Sequence, residues 1–314
     1  MLTSKISFLA SKIQSQLFPL LDEYMETPML KGHENVLWAL EILQIENTIN
    51  YHTILDRGRP PKHHACIARA FVAKHILNLP TTSHLIHRLH CDKNLRYICG
   101  WLPMEKIPSE STFSRVFAYL SSSGKLDLLH ERLVKDVFEN HAVLHCYRDS
   151  CPIPVREREK KDMTSKDQER YPCRSKDNRK LTVCEYQATE ASTLEQAMLP
   201  LRKACSIGKK TNSHGLSQCW RGYKLHLDVG EGAFPLSCIL TSADTHDSQA
   251  GIPLSMKSST RAHVMYELMD SAYDVNAIKD YISKEGRVPL VKLHKRKGKR
   301  KEDIEANERY NSVS

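Results

Sequence analysis

At 314 residues, with 40% hydrophobic and 26% charged side chains, the chain has an ordinary globular composition and room for two domains. Its net charge of +9 is the footprint of a protein that meets phosphate backbones, and equally of a basic soluble protein with no such partner. No apolar run reaches the roughly 20 residues that a membrane-spanning helix needs. The N-terminal MLTSKISFLASKIQSQLFPLL is broken by Lys5, Lys12 and glutamines and reads as an amphipathic helix, neither signal nor anchor.

The ten cysteines are scattered with no CxxC pair, which excludes a zinc ribbon and a thioredoxin-like redox motif. Cys91, Cys99, Cys146 and Cys151 read as small buried hydrophobes of a reduced, cytoplasmic protein. Cys173, Cys184 and His214 lack the paired spacing of a metal site.

Residues 1 to about 140 carry helical periodicity with few strand signals. Val36, Leu37, Ala39, Leu40, Ile42 and Leu43 predict one helix, and His64 to Leu77 a second, stopped by Asn78 and Pro80. Shorter helices are predicted over Thr82 to His90, Asn94 to Gly100 and Ser109 to Leu120, the last led in by Pro108 and a capping Ser109, with a longer one over Leu126 to Asn140. Two architectures fit this series. One is a plain helical bundle; the other is a helix-turn-helix whose recognition helix begins near Ser111 and presents Thr112, Ser114 and Arg115 to DNA.

The texture changes at His141, where AVLHCYRDS predicts a buried strand ending on Asp149. Residues 155 to 220 lose periodicity and carry the runs REREKKD and CRSKDNRK, a solvated basic insertion with a helix around Ser192 to Ala204. GYKLHLDVG and PLSCILTSA are strands joined by a turn at Gly230 and Gly232, and a helix over Ser248 to Lys257 must absorb Pro253. AHVMYELMD is a strand ending on Asp270, followed by a helix over Val275 to Lys284, the strand VPLVKLHK and a basic, then polar, tail. The predicted fold is α/β: a helical N-terminal domain over residues 1–140, then a mixed-sheet domain over 141–314 with the basic insertion.

Asp149 and Asp270 each fall where a strand gives way to a loop. Such positions suit caps and turn formers, and they also suit carboxylates that converge on Mg²⁺ or Mn²⁺ for phosphodiester displacement. Lys224 and His226 lie two residues apart on one strand face, and Arg148 adjoins Asp149. Lys224 and Arg148 are placed to reach phosphate, or to lie on a solvated face.

The segments LHCYRDSCPIPVRERE, WRGYKLHLDVGEGAFPLSCILTSADTHDSQAGIPL and YELMDSAYDVNAIKDYISKEGRVPLV resemble consecutive blocks of bacterial insertion-sequence transposases with a ribonuclease-H-like DDE catalytic domain. CDKNLRYICGWLPMEKIPSESTFSRVF resembles the helical domain that precedes it, and the resemblance covers roughly residues 60 to 310. It implies metal-dependent cleavage and strand transfer at the element's ends, with Mg²⁺ or Mn²⁺ as cofactor. The implied partner is double-stranded DNA carrying terminal inverted repeats, bound by at least two copies of the chain. Asp149, in its RDS context, and Asp270, in its MD-x-x-YD context, map onto the first two catalytic, metal-binding acids. His246, Asp247 and Ser248 are expected to start a helix, and Tyr273 and Asp274 to shape the turn beyond Asp270.

Members of that family continue past the ERY segment into a helix bearing a third acid, a Glu. Here Glu302, Glu305 and Glu308 all precede that segment. The expectation is therefore an incomplete ribonuclease-H-like domain, C-terminally truncated and inactive by itself, the alternative being a non-catalytic DNA-binding fragment that occupies element ends as an inhibitor.

Overall fold

A computed structural model describes residues 29–49, 64–102, 104–139, 141–157, 180–211 and 217–292. The expectations for the N-terminal segment 1–28, for Cys173 and His214, and for Glu302, Glu305 and Glu308 lie outside these residues. The chain divides into two compact units, Met1–Leu133 and Val134–Ser314.

Among the described residues the first unit is helical: α1 (Lys31–Leu43), α2 (Ile45–Ile49), α3 (His64–Ile76), α4 (Thr82–Cys91), α5 (Lys93–Ile98), α6 (Glu110–Ser122) and α7 (Lys125–Phe138), which runs across the division. Their predicted apolar stripes meet in one core that includes Val36, Ile67, Leu85, Leu89, Leu95 and Phe113. Asn78 follows α3 in the left-handed conformation, φ 51°, which its short polar side chain tolerates, and Pro80 blocks any restart. Asp92 joins three elements. Its Oδ1 accepts the Leu95 N–H at the start of α5, and its Oδ2 lies 2.9 Å from the buried His33 of α1 and 3.0 Å from Arg88 of α4.

The second unit is built on a six-stranded mixed sheet, β1 (Val143–Pro154), β2 (Ser206–Thr211), β3 (Ser217–Val229), β4 (Pro235–Ser242), β5 (Val264–Met269) and β6 (Val288–Val291). β1 is central, antiparallel to β3 and parallel to β5, and β6 runs parallel beyond β5. The long β3 pairs with β2 over its first half and with β4 over its second. Antiparallel strands on one side of β1 and parallel strands on the other give the mixed sheet expected of a ribonuclease-H-like fold. α8 (Val183–Thr189), α9 (Leu194–Met198), α10 (Asp247–Ser259) and α11 (Asn276–Lys284) complete the unit.

α10 carries the predicted proline in its interior. Pro253 has no N–H for the carbonyl of Gln249 one turn back, which in a buried helix would leave an orphaned acceptor. The fully buried Gln187 of α8 supplies the missing donor, with Nε2 2.9 Å from that carbonyl and 2.8 Å from the Ala197 carbonyl of the segment α9.

Two expectations are corrected here. The span 155 to 220 holds more than the one helix expected around Ser192 to Ala204, which is α9, because α8, β2 and the start of β3 also lie among its described residues. α8 is fixed by a capping box, Thr182 with Glu185, and buries Cys184, Tyr186 and Gln187. Cys91 and Cys151 are exposed thiols, whereas Cys99 and Cys146 are buried. Burial pushes the Cys99 thiol up to about 12 and leaves it inert near neutrality.

Candidate active site

The two predicted aspartates meet through strand register. β1 does not end at Asp149, as expected, but continues to Pro154. What ends there is its pairing with β5, since the last parallel pair is Arg148 with Met269. Asp149 and Asp270 are the next residue on each strand, so they lie side by side where the two central parallel strands part.

Alternation sends Arg148 to the opposite face from Asp149, into the interior. Its guanidinium bonds Asp228 through Nε to Oδ1 and Nη2 to Oδ2, both at 2.7 Å, and Nη2 lies 2.8 Å from Glu267 Oε2. Arg287 pairs with the other oxygen of Glu267, and Ser255 and Ser258 donate to Glu267 and Asp228 at 2.7 Å each. Two cations and two anions thus close a neutral, buried network across β1, β3 and β5, with Arg148 one residue before Asp149 and Glu267 three before Asp270. Although burial alone would favour its loss of a proton, the two carboxylates hold Arg148 charged. Arg148 is therefore not a DNA contact. With its side chain 1% exposed and bonded on both sides, it cannot reach a phosphate.

Asp149 is exposed, and its Oδ1 accepts the Ser150 N–H at 2.7 Å. Asp270 caps the short turn Ser271–Tyr273, its Oδ1 accepting from the Ala272 N–H at 3.0 Å. The residue is largely exposed but its carboxyl is partly desolvated. That desolvation first, and then the charges of Asp247 and Asp149, push it above the usual carboxylate range, against the Ala272 hydrogen bond. The second oxygen of each aspartate has no partner among the described residues. Tyr273, buried, and Asp274, which pairs with Lys279 at 2.5 Å, shape the turn that follows, as expected.

A third acid near this pair was not foreseen. Asp247 opens α10, but the cap is His246, whose Nδ1 accepts from the Ser248 N–H. Asp247 instead faces the sheet, 2.9 Å from Lys224 Nζ and 4.0 Å from His226 Nδ1, and its charge reaches Asp270. Lys224 is further held by the Thr245 carbonyl at 2.7 Å. Among the described residues no three His, Cys, Asp or Glu side chains form a group that could hold a metal ion.

Lys224 and His226 do share a face, but His226 is fully buried and not solvated. Its Nε2 lies 2.9 Å from Thr241 Oγ1. Burial, with Lys224 and Arg148 adding to it, outweighs Asp247 and lowers the imidazole from 6.5 to about 4. The folded protein therefore keeps His226 neutral, while the unfolded chain takes up a proton below about pH 6.5. This contribution to stability is complete above pH 6.5 and is lost as the pH falls towards 4. Urea denaturation across that range should show a smaller loss of stability for His226→Gln than for the wild type; parallel curves would place the acid sensitivity elsewhere.

In the helical unit, Ser114 and Arg115 are exposed on α6 and Thr112 is half-buried. Arg115 Nε lies 3.2 Å from the Ser111 carbonyl and Nη2 3.5 Å from Thr112 Oγ1, so the three predicted side chains share the first turns of one helix.

A helical region followed by a mixed sheet, antiparallel on one side of β1 and parallel on the other, is the architecture of a ribonuclease-H-like domain preceded by a helical one. Two family models match the chain, the Transposase domain (DUF772) over residues 36–118 and the Transposase DDE domain over residues 160–313. Neither a curated protein nor a solved structure matches it. The chain belongs to the DDE transposases of insertion sequences. Among the described residues no helix is long and apolar enough to cross a membrane.

Proposed function

We propose that this transposase cleaves DNA at the ends of an insertion sequence and joins them to a target, with Asp149 and Asp270 as metal-holding acids. The observation that carries the reading is their adjacency at the end of the β1–β5 pairing. The pair fits a divalent cation. Among the described residues each carboxylate keeps one oxygen without a partner, both are hard donors, and their mutual repulsion on Asp270 is relieved by a positive charge between them. When bound, Mg²⁺ or Mn²⁺ activates the attacking oxygen and stabilises the leaving one.

The chain's own residues fix the geometry. The Arg148 network locks β1 to β5 and so sets the spacing of the acids. Residues 1–140 form the DNA-binding part and 141–314 the catalytic part, with Thr112, Ser114 and Arg115 of α6 against the terminal inverted repeats. Acting on two ends at once calls for at least two copies on the DNA.

The test is cleavage of a labelled duplex carrying the element's ends, in Mg²⁺ or Mn²⁺, by the wild type and by Asp149→Asn with Asp270→Asn. The double variant should cut at least ~100-fold more slowly. In metal-free buffer it should melt no lower than the wild type, because it removes a repulsion and no attractive contact of the core. Equal cutting by both would dismiss these acids. A shift of the duplex without cleavage by either would leave a DNA-binding protein that occupies element ends.

A further inference from the structure

The paired strands β2 and β3, with β1 and the start of α10, border a cavity of about 240 Å³ whose lining includes Ser150, Lys209, Lys210, Trp220, Lys224 and Asp247. Ser150 follows Asp149 in the chain. Lys210 and Asp247 both act electrostatically on Asp270, so the cavity lies near that acid. Its charge is unevenly committed. Lys224 is held by Asp247 and the Thr245 carbonyl, whereas Lys209 and Lys210 are exposed and ion-paired with nothing among the described residues.

The wall behind them is fixed. Trp220 faces Gly208 across the hairpin, and a Cβ at Gly208 would lie 2.5 Å from the indole, so only glycine leaves it that place. The indole Nε1 donates to the Tyr223 carbonyl at 3.1 Å. Alternation places Lys210 on the Gly208–Trp220 face of this braced strand and Lys209 on its other face, so charge borders the cavity from both sides of β2. That arrangement suits a polyanion running past the acids better than a diffuse solvated face.

We propose that this cavity receives the phosphodiester backbone of the DNA strand beside the position to be cut, with Lys209 and Lys210 as the phosphate contacts. The proposal rests on the transposase reading above, and supplies a binding element on the catalytic unit itself. Each phosphate contact releases counterions, so the affinity of a chain that makes both contacts falls more steeply with salt than that of a chain lacking them.

The experiment measures the affinity of the full chain for a fluorescent duplex carrying the element's ends, by anisotropy in EDTA, over a range of salt. Lys209→Gln with Lys210→Gln should reduce the slope of log affinity against log salt by about 2, close to one per lost contact. Lys284→Gln with Lys292→Gln removes the same charge near the opposite edge of the sheet and should leave the slope unchanged. If the two double variants behave alike, the cavity is not the phosphate site, and the transposase reading stands. If the wild type does not bind the duplex, that reading itself fails. Because both lysines of the test pair are exposed, an unchanged melting temperature is expected and separates loss of contact from loss of fold.

Discussion

Arg148→Met should destabilise the catalytic unit by about 3–5 kcal/mol, the usual consequence of removing one partner from a buried charge network. Methionine fills much of the volume but leaves Asp228, at a position with no exposed surface, with the neutral Ser258 hydroxyl and Cys146 thiol in place of a cation. Glu267 keeps Arg287, so the uncompensated charge falls on Asp228. A second variant makes the reasoning testable. Arg148→Met with Asp228→Leu removes one cation and one anion, keeps the remaining pair neutral, and should recover most of the loss, since replacing a whole buried pair by apolar groups is often neutral. Urea denaturation of the wild type, single and double variants measures both effects. A single variant that loses under ~1 kcal/mol, a loss ordinary for any point substitution, would mean that water or a shifted neighbour compensates Asp228. Arg148 would then not be the lock between β1 and β5.

Arg148 also marks the limit of what the sequence discloses. In RDS, arginine and aspartate are equally polar, and nothing local says which faces in. Only the pairing of β1 with β3, which sets Arg148 opposite Asp228, shows that the arginine is interior. Most helices of the first unit were legible from their apolar periodicity, with Asn78–Leu79–Pro80 or Ser109 marking ends, whereas the short α2 was not predicted. The strands of the second unit were legible from apolar runs between turn residues, although β1 was drawn five residues short because Ser150, Cys151 and Pro152 carry little strand propensity and are held by the antiparallel partner. Asp149 and Asp270 were found as strand-end acids, but their adjacency is a fact of register, which only the pairing fixes.

Between residues 155 and 220 the charge runs masked real elements. Thr182 and Glu185, three apart, are a capping box visible in the sequence, and α8 could have been found from it. Asp247 was set aside as a helix-start residue, and it does start a helix. Its approach to Lys224 and Asp270 depends on how α10 lies against β3, a tertiary contact with no local signal. The same holds for the lysine cavity, where Lys209 and Lys210 look like any solvated pair until Trp220 is seen behind them.

Gly222→Ala should cost about 3 kcal/mol, at the upper end for overpacking, although it adds a single methyl group. Gly222, in the block WRGYK, is where β3 passes from its pairing with β2 to its pairing with β4, while opposite Pro154 of β1 on its other side. Its φ is +151°, and a Cβ there would lie 2.1 Å from the Ile153 carbonyl oxygen and 3.1 Å from the Val155 nitrogen. Both are backbone atoms, so no side chain can swing aside, and β1 must move off β3. Gly232 provides the contrast. It also has a positive φ, +70°, but a Cβ there meets nothing within 4 Å, and Gly232→Ala should cost only the conformational strain, about 1 kcal/mol. The difference between the two variants in urea isolates the close approach of the strands from the dihedral penalty. Because the strand that moves is the one carrying Asp149, Gly222→Ala should also slow cleavage at temperatures where the variant is still folded, while Gly232→Ala leaves the rate unchanged. Equal stabilities would show that β1 yields cheaply at this point, and that the β1–β3 junction does not hold Asp149 in register with Asp270.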